Sequence, residues 1–317
     1  MRSQHYRRGF TFIELLFVIV IMGIVGGIAL EAIRQYYEGI YRTQEYSKRV
    51  AEADHILEQL SKYFETAIMN SIVNLDKDGT TGCSGPPEEG DAADYTVAFV
   101  AVDEDSLRGI SGNRPGWSED VNVTGLVLTA ADANYTMANT VIGGLFPTSS
   151  LIQSAIYDSN ITHERDDNST CIRYNWDGAG GLAGFHTIAN FTSTTLILNA
   201  DAEHNPDATV EGGKRKYLIR TGYAFRVLDD GNFTMYSNFR PWLNEQYTTG
   251  SQNILGRNVA SFYVDYNGTD FQAENNLTDR GLVWRLKVCM RGLDANMSVS
   301  NAKTNEICRE RRVHVRY

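Results

Sequence analysis

Apolar residues run almost unbroken from Phe10 to Leu30, with Glu14 the single charge among them. Twenty-one residues at about 1.5 Å each match a hydrocarbon core of about 30 Å. The pattern therefore predicts a helix able to cross a bilayer. Beyond Leu30 the apolar positions thin out and recur by threes and fours: Ile33, Tyr36, Tyr37 and Ile40, then Val50, Ala53, Leu57, Leu60, Phe64 and Ala67. The helix is expected to continue to about residue 72, bare and apolar over 10–33 and amphipathic over 34–72. Opposite charges four apart, Glu38 with Arg42 and Glu45 with Arg49, support its polar side.

Residues 76–93, rich in Gly, Pro, Asp and Ser, predict a loop. Strands are predicted at 95–102, 124–130, 194–200, 217–229, 232–239, 259–266, 281–290 and 312–317, where β-branched and aromatic residues concentrate. Asp229-Asp230-Gly231-Asn232 is a hairpin turn between two of them. Residues 103–193 hold few strong strands and many turn residues, and are expected to form a large loop-rich insertion. The predicted class is α+β: a long N-terminal helix packed on an antiparallel β-sheet head that spans residues 73–317.

Charge adds an orientation. Arg2, Arg7 and Arg8 precede the apolar run, and such a flank stays cytoplasmic, sending the rest of the chain outward. Gly26-Gly27-Ile28-Ala29 leads straight into polar sequence without a signal-peptidase site, so a retained anchor is expected. The formal net charge is −10, and loss of the basic leader would make it more negative. An acidic exported part argues against nucleic acid as a partner. Four cysteines, an even number bound for an oxidising compartment, imply disulfides rather than metal. Cys289 and Cys308 lie in or beside strand-like segments and are paired here with each other, leaving Cys83 with Cys171; spacing alone leaves the other two connectivities open.

Glu14 asks for an explanation. A carboxylate within an apolar helix costs on the order of 2.5 to 3.5 kcal/mol at mid-membrane and needs a partner. No basic residue lies within a helical turn of it inside the segment. A cut between Gly9 and Phe10 would create an α-amino group that a neighbouring copy, shifted along the helix axis, could offer to this carboxylate. Here the chain resembles the type IV prepilins and pseudopilins: a basic leader, residues 1–9, ending in Gly9, then Phe10-Thr11-Phe12-Ile13-Glu14-Leu15 and an apolar run. The resemblance implies cleavage after Gly9 by a prepilin peptidase, N-methylation of Phe10, and subunit alignment through Glu14.

More loosely, residues 254–268 and 281–292 with a closing C-terminal strand resemble the J-type minor pseudopilins and W-type minor pilins. The implied protein is a minor pilin or pseudopilin: a subunit stored in the inner membrane with its head in the periplasm. It would assemble with other pilins and an inner-membrane assembly platform at or near the tip of a type IV pilus or a type II secretion pseudopilus. Two other classes stand beside it, a filament-borne adhesin that binds through residues 103–193 and a membrane-anchored periplasmic enzyme.

A second pattern is statistical. Nine Asn-x-Ser/Thr triplets begin at Asn122, Asn134, Asn160, Asn168, Asn190, Asn232, Asn267, Asn276 and Asn296. The residue two before each is acidic in eight of the nine; Asn190, preceded by Ile188, is the exception. Acids make up 39 of 317 residues, so chance would supply about one among nine. The extended pattern resembles the acceptor of bacterial oligosaccharyltransferases, which implies glycans on the eight. Turn chemistry alone puts Asp near Asn, without favouring one offset.

Other motifs are weaker. Gly178, Gly180 and Ala183 match G-x-G-x-x-A without a preceding strand or a βαβ unit, so no nucleotide site is expected. Residues 76–79 have a calcium-loop look but lack a full ligand set. The six histidines show no metal spacing, and no nucleophile motif occurs, so neither a cofactor nor catalysis is expected. The basic tail Arg309, Arg311, Arg312, His314 and Arg316 is expected to be a solvated strand face.

Overall fold

A computed structural model describes residues 11–76, 82–83, 95–108, 115–118, 121–145, 149–158, 171, 174–176, 178, 185–199, 216–266, 283–292 and 306–315. The chain divides into two compact units, Met1–Arg49 and Val50–Tyr317. Helix α1, Phe12–Glu65, contributes residues 12–49 to the first and 50–65 to the second.

In the first unit the large apolar side chains from Phe12 to Ile33 are exposed, Phe12 at 80%. Past Leu30 charged residues take over. Arg34 Nε donates to Glu38 Oε1 at 2.9 Å, and Gln35 Nε2 to Glu31 at 3.2 Å. Glu38 therefore pairs one turn back, with Arg34, whose hydrogen bond and charge hold its carboxyl below the usual range, while Arg42 adds only a longer-range attraction.

In the second unit α1 buries Ala53, Ile56, Leu57, Leu60, Ser61 and Phe64, the three-four spacing of a helix with one apolar face. The helix ends at Glu65, short of residue 72. Ile68 N bonds to Val100 O at 2.8 Å and Val102 N to Thr66 O at 2.9 Å, so the backbone after the helix joins a strand instead. That long-range pairing replaces about two helical turns with extended chain and the short 3-10 turn Met69–Ser71.

The strands are β1 (Val73–Leu75), β2 (Thr96–Val102), β3 (Asn122–Thr124), β4 (Val127–Thr129), β5 (Ala155–Asp158), β6 (Phe185–Phe191), β7 (Thr195–Leu198), β8 (Lys216–Val227), β9 (Phe233–Phe239), β10 (Ser251–Gly256), β11 (Val259–Tyr266), β12 (Val283–Met290) and β13 (Ile307–His314). Helices α2 (Glu104–Arg108) and α3 (Tyr135–Leu145) lie between them in sequence. A ten-stranded sheet runs β1-β2-β8-β5-β6-β7-β4-β3, with β9 and β10 continuing from β8. A second sheet runs β11-β12-β13, and every pairing in both is antiparallel. The molecule is thus α+β, a long helix with antiparallel sheet.

Residues 50–65 of α1 share one core with both sheets, among them Phe99, Phe225, Phe233, Val264, Trp284 and Leu286. Aromatic rings run through it: Phe64 to Phe99 at 4.6 Å, Phe99 to Phe225 at 5.7 Å, Phe225 to Phe233 at 6.3 Å and Phe233 to Phe262 at 4.9 Å. The Asp229–Asn232 turn forms as expected, with Gly231 at φ +82° closing the β8–β9 hairpin.

The stretch 103–193 contributes more than loops. Strand β5 lies between β8 and β6 in the main sheet, and α3 buries Tyr135, Ala138 and Ile142 in a second core with Trp117, Leu128, Leu196 and Leu218. Tyr135 is fully buried, its hydroxyl has no hydrogen-bond partner among the described residues, and burial next to Asp132 raises its pKa.

Cys83 pairs with Cys171, and Cys289 with Cys308. The second bond joins directly opposed residues of β12 and β13. Replacing Phe64 by Ala should destabilise the second unit by about 3 to 5 kcal/mol, read as a lower urea midpoint. Lys62→Ala, which removes an exposed 3.7 Å pair with Glu58, should cost less than about 0.5 kcal/mol. The sequence separations of 88 and 19 imply chain-entropy losses of about 4.6 kcal/mol for paired serines at Cys83 and Cys171 and about 3.3 at Cys289 and Cys308, a ranking urea titration checks.

Candidate functional site in the N-terminal segment

Gly9 and Phe10 lie outside the described residues. Thr11 is the first described residue and stands at the entrance of α1. Its carbonyl accepts from Glu14 N at 3.1 Å and Leu15 N at 3.2 Å, and its hydroxyl lies 3.4 Å from Glu14 Oε2 as a donor. Glu14 is thus the third helical residue, where the exposed amide groups and the positive end of the helix dipole favour a carboxylate. Thr11-Phe12-Ile13-Glu14 has the S/T-x-x-E spacing of a helix start, a signal that reasoning from charge alone passed over.

Among the described residues the Glu14 carboxylate meets only that hydroxyl. The side chains that follow it, Leu15 to Leu30, are exposed hydrocarbon. A lone exposed acid at the head of an apolar helix can accept a cationic donor, an ammonium group above all. Within the described chain α1 is one helix long and apolar enough to cross a membrane.

Among the described residues, the one group of potential metal ligands close enough to share an ion is Cys289, Glu306 and Cys308, and both sulfurs are consumed by the disulfide. Of the calcium-like stretch only Asp76 is described, and of the glycine-rich match only Gly178. In the basic tail, Arg309 Nε reaches Asp54 of α1 at 2.9 Å, while Arg311 and Arg312 stand exposed on β13. Arg316 lies outside the described residues.

Four of the nine Asn-x-Ser/Thr triplets are described. Asn122 is exposed on β3, with Thr124 exposed and Val123 half-buried. Asn134 caps α3, its Oδ1 accepting from Met137 N at 3.0 Å, and Tyr135 beside it is fully buried. Asn232 is held by Asp230, which accepts from Asn232 N at 2.9 Å and from Nδ2 at 2.5 Å; Phe233 and Thr234 behind it are fully buried. Asn190, the triplet without an acid, is exposed on β6. Asn160, Asn168, Asn267, Asn276 and Asn296 lie outside the described residues.

Compared with known proteins, residues 4–30 match the family described as the prokaryotic N-terminal methylation motif. This is a type IV pilin-like prepilin signal, and it covers residues 4–9 of the leader, Phe10, Glu14 and the apolar run. No curated protein and no solved structure is significantly similar to the chain.

Asn134 and Asn122 have different backbone roles and should part on substitution. Asn134→Ala removes a helix cap and should lower stability by about 1 kcal/mol, whereas Asn122→Ala should stay within about 0.5 kcal/mol. Urea unfolding of unmodified protein measures both.

Proposed function

We propose that the chain is a minor pilin or minor pseudopilin, a structural subunit that joins a helical filament through its N-terminal helix and acts at or near the tip. The observation that carries this is the coincidence of the methylation motif over residues 4–30 with a helix whose only charge before Glu31 is an exposed Glu14 in its first turn. A prepilin peptidase cuts between Gly9 and Phe10 and methylates the new amino group. In the membrane, and then in the filament, the Glu14 carboxylate aligns with the amino terminus of a neighbouring subunit, offsetting the cost of holding either charge in hydrocarbon.

The rest of the chain fits the same role. A disulfide-bonded, acidic, β-rich second unit suits an exported compartment. Strands β11 to β13, which carry the looser resemblance to J-type pseudopilins and W-type pilins, support a minor rather than a major subunit. A second unit of 268 residues favours a tip position, since so large a body would crowd lateral contacts in a repeated shaft.

Peptide mass spectrometry of sheared fibres and of the cell envelope tests the proposal. The expected mature chain begins at methylated Phe10. Glu14→Ala should leave cleavage intact and lower the amount recovered in fibres at least tenfold, with no change in the unfolding midpoint of the second unit. A chain that still begins at Met1, or fibre recovery indifferent to Glu14, would overturn it.

A further inference from the structure

Among the described residues, Asp103 and Gln59 each keep a buried oxygen that no donor meets, and both belong to the wall of one cavity. Asp103 directly follows β2 and is 3% exposed. Its backbone N donates to the Leu218 carbonyl of β8 at 2.8 Å, and Ser106 Oγ donates to its Oδ2 at 2.7 Å, so the carboxylate is held in place. Its other oxygen, Oδ1, is buried without a hydrogen-bond partner among the described residues. Gln59 on α1 repeats the pattern: Nε2 lies 3.0 Å from His55 Nε2, while Oε1 is buried without a partner among the described residues. A buried acceptor is unfavourable until something donates to it.

The cavity has a volume of about 650 Å³, within the range of small-ligand sites. Tyr63 of α1 and Tyr223 of β8 also line it, their ring centroids 5.1 Å apart and their planes 48° from parallel. An aromatic face attracts a cation within about 6 Å of its centre. Val102, Met235 and Leu255 add apolar wall, which suits a short hydrocarbon chain.

Charge selects the donor. The wall carries Lys62 and Arg220 against Asp103, Glu104 and Asp105. Lys62 Nζ lies 3.7 Å from Glu58 Oε1, and Arg220 Nη2 lies 3.9 Å from Asp105 Oδ2. Each cation therefore has an acid of its own, and Asp103 is the carboxylate left to a ligand. An anion would be repelled there. A hydroxyl would bring one O–H donor and no charge, whereas an ammonium group brings three N–H donors and a charge that strengthens every bond to a carboxylate.

We propose that this cavity binds an alkylammonium group, with Asp103 Oδ1 and Gln59 Oε1 accepting its N–H bonds, the two tyrosine rings beside its charge, and its hydrocarbon chain along Val102, Met235 and Leu255. Two sources carry that chemistry, a free alkyl diamine and a lysine side chain of another polypeptide. The site lies wholly within the second unit, and neither leader cleavage nor filament assembly enters the argument.

Full-length chain, purified in detergent with both disulfides formed, is titrated calorimetrically with 1,4-diaminobutane, with Nα-acetyl-lysine amide and with the neutral 1,4-butanediol. The amines should bind with one-to-one stoichiometry and the diol should not. Asp103→Asn keeps an acceptor for Ser106 and removes the charge; it should weaken amine binding at least about tenfold, the scale of a hydrogen bond to a charged group. Gln59→Glu puts a carboxylate at the second acceptor and should tighten binding about threefold. If Asp103→Asn lowers the urea midpoint, Gln59→Glu decides. The chain carries a net charge of −10, so a general attraction for cations is the competing explanation. Glu310→Gln removes an exposed acid of β13 that is no part of this cavity, and should leave the affinity unchanged. Tighter binding of the diamine points to a free amine and of the lysine derivative to a polypeptide, and either order upholds the site. Absence of amine binding, equal binding of the diol, indifference to Gln59→Glu, or equal losses from Glu310→Gln and Asp103→Asn would overturn it.

Discussion

The core that joins both sheets depends on one stripe of side chains. Ala53, Ile56, Leu57, Leu60 and Phe64 project from a single face of α1, and both sheets pack on them. Neither sheet closes a core alone in that region. The three-stranded sheet turns Phe262, Val264, Trp284, Leu286 and Val288 inward, and the main sheet supplies Val97, Phe99, Phe225 and Phe233. Their common contact is the helix. At roughly 25 cal/mol per Å² of buried apolar surface, such a stripe outweighs the exposed ion pairs on the same helix many times over.

The polar interior is organised to match. Buried Arg240 donates to Glu245 at 2.8 Å and to Gln153 at 2.9 Å, and Trp242 Nε1 donates to the Gln153 carbonyl at 2.8 Å. Asn175 Nδ2 reaches the Pro241 carbonyl at 2.7 Å. These charge-assisted and amide bonds tie the turn after β9 to the segments before and after β5, fixing where strands from distant parts of the sequence meet.

Much of this is legible in the sequence. The stripe on α1 follows from its spacing, the β8–β9 hairpin from Asp-Gly-Asn chemistry, and the N-terminal motif from a register of leader, glycine and glutamate. What escaped was decided at long range. The end of α1 depends on Val100 and Val102, which capture the backbone at Thr66 and Ile68. Strand β10, Ser-Gln-Asn-Ile-Leu-Gly, is polar and mostly exposed, so no alternation marked it. Strands β5 and β6 are flanked by turn residues and gain their place by pairing with β8 and with each other. At the N-terminus the charge of Glu14 is readable, and the Thr11 hydroxyl that donates to its carboxylate is seen only in the fold. For the asparagines the common offset is a sequence feature, while the helix cap made by Asn134 and the hold of Asp230 on Asn232 are set by the fold.

Strand β13 is mostly exposed and, among the described residues, bonded along one edge only, the circumstances in which a terminal strand frays first. The Cys289–Cys308 bond forbids that independence. Because it joins opposed residues near one end of the ladder, β13 cannot slide by a residue, depart alone or be exchanged for the same strand of another copy. Opening there becomes a collective event of the three-stranded sheet, so the amide hydrogens nearest the cross-link exchange with solvent at a rate set by the shared core rather than by the edge.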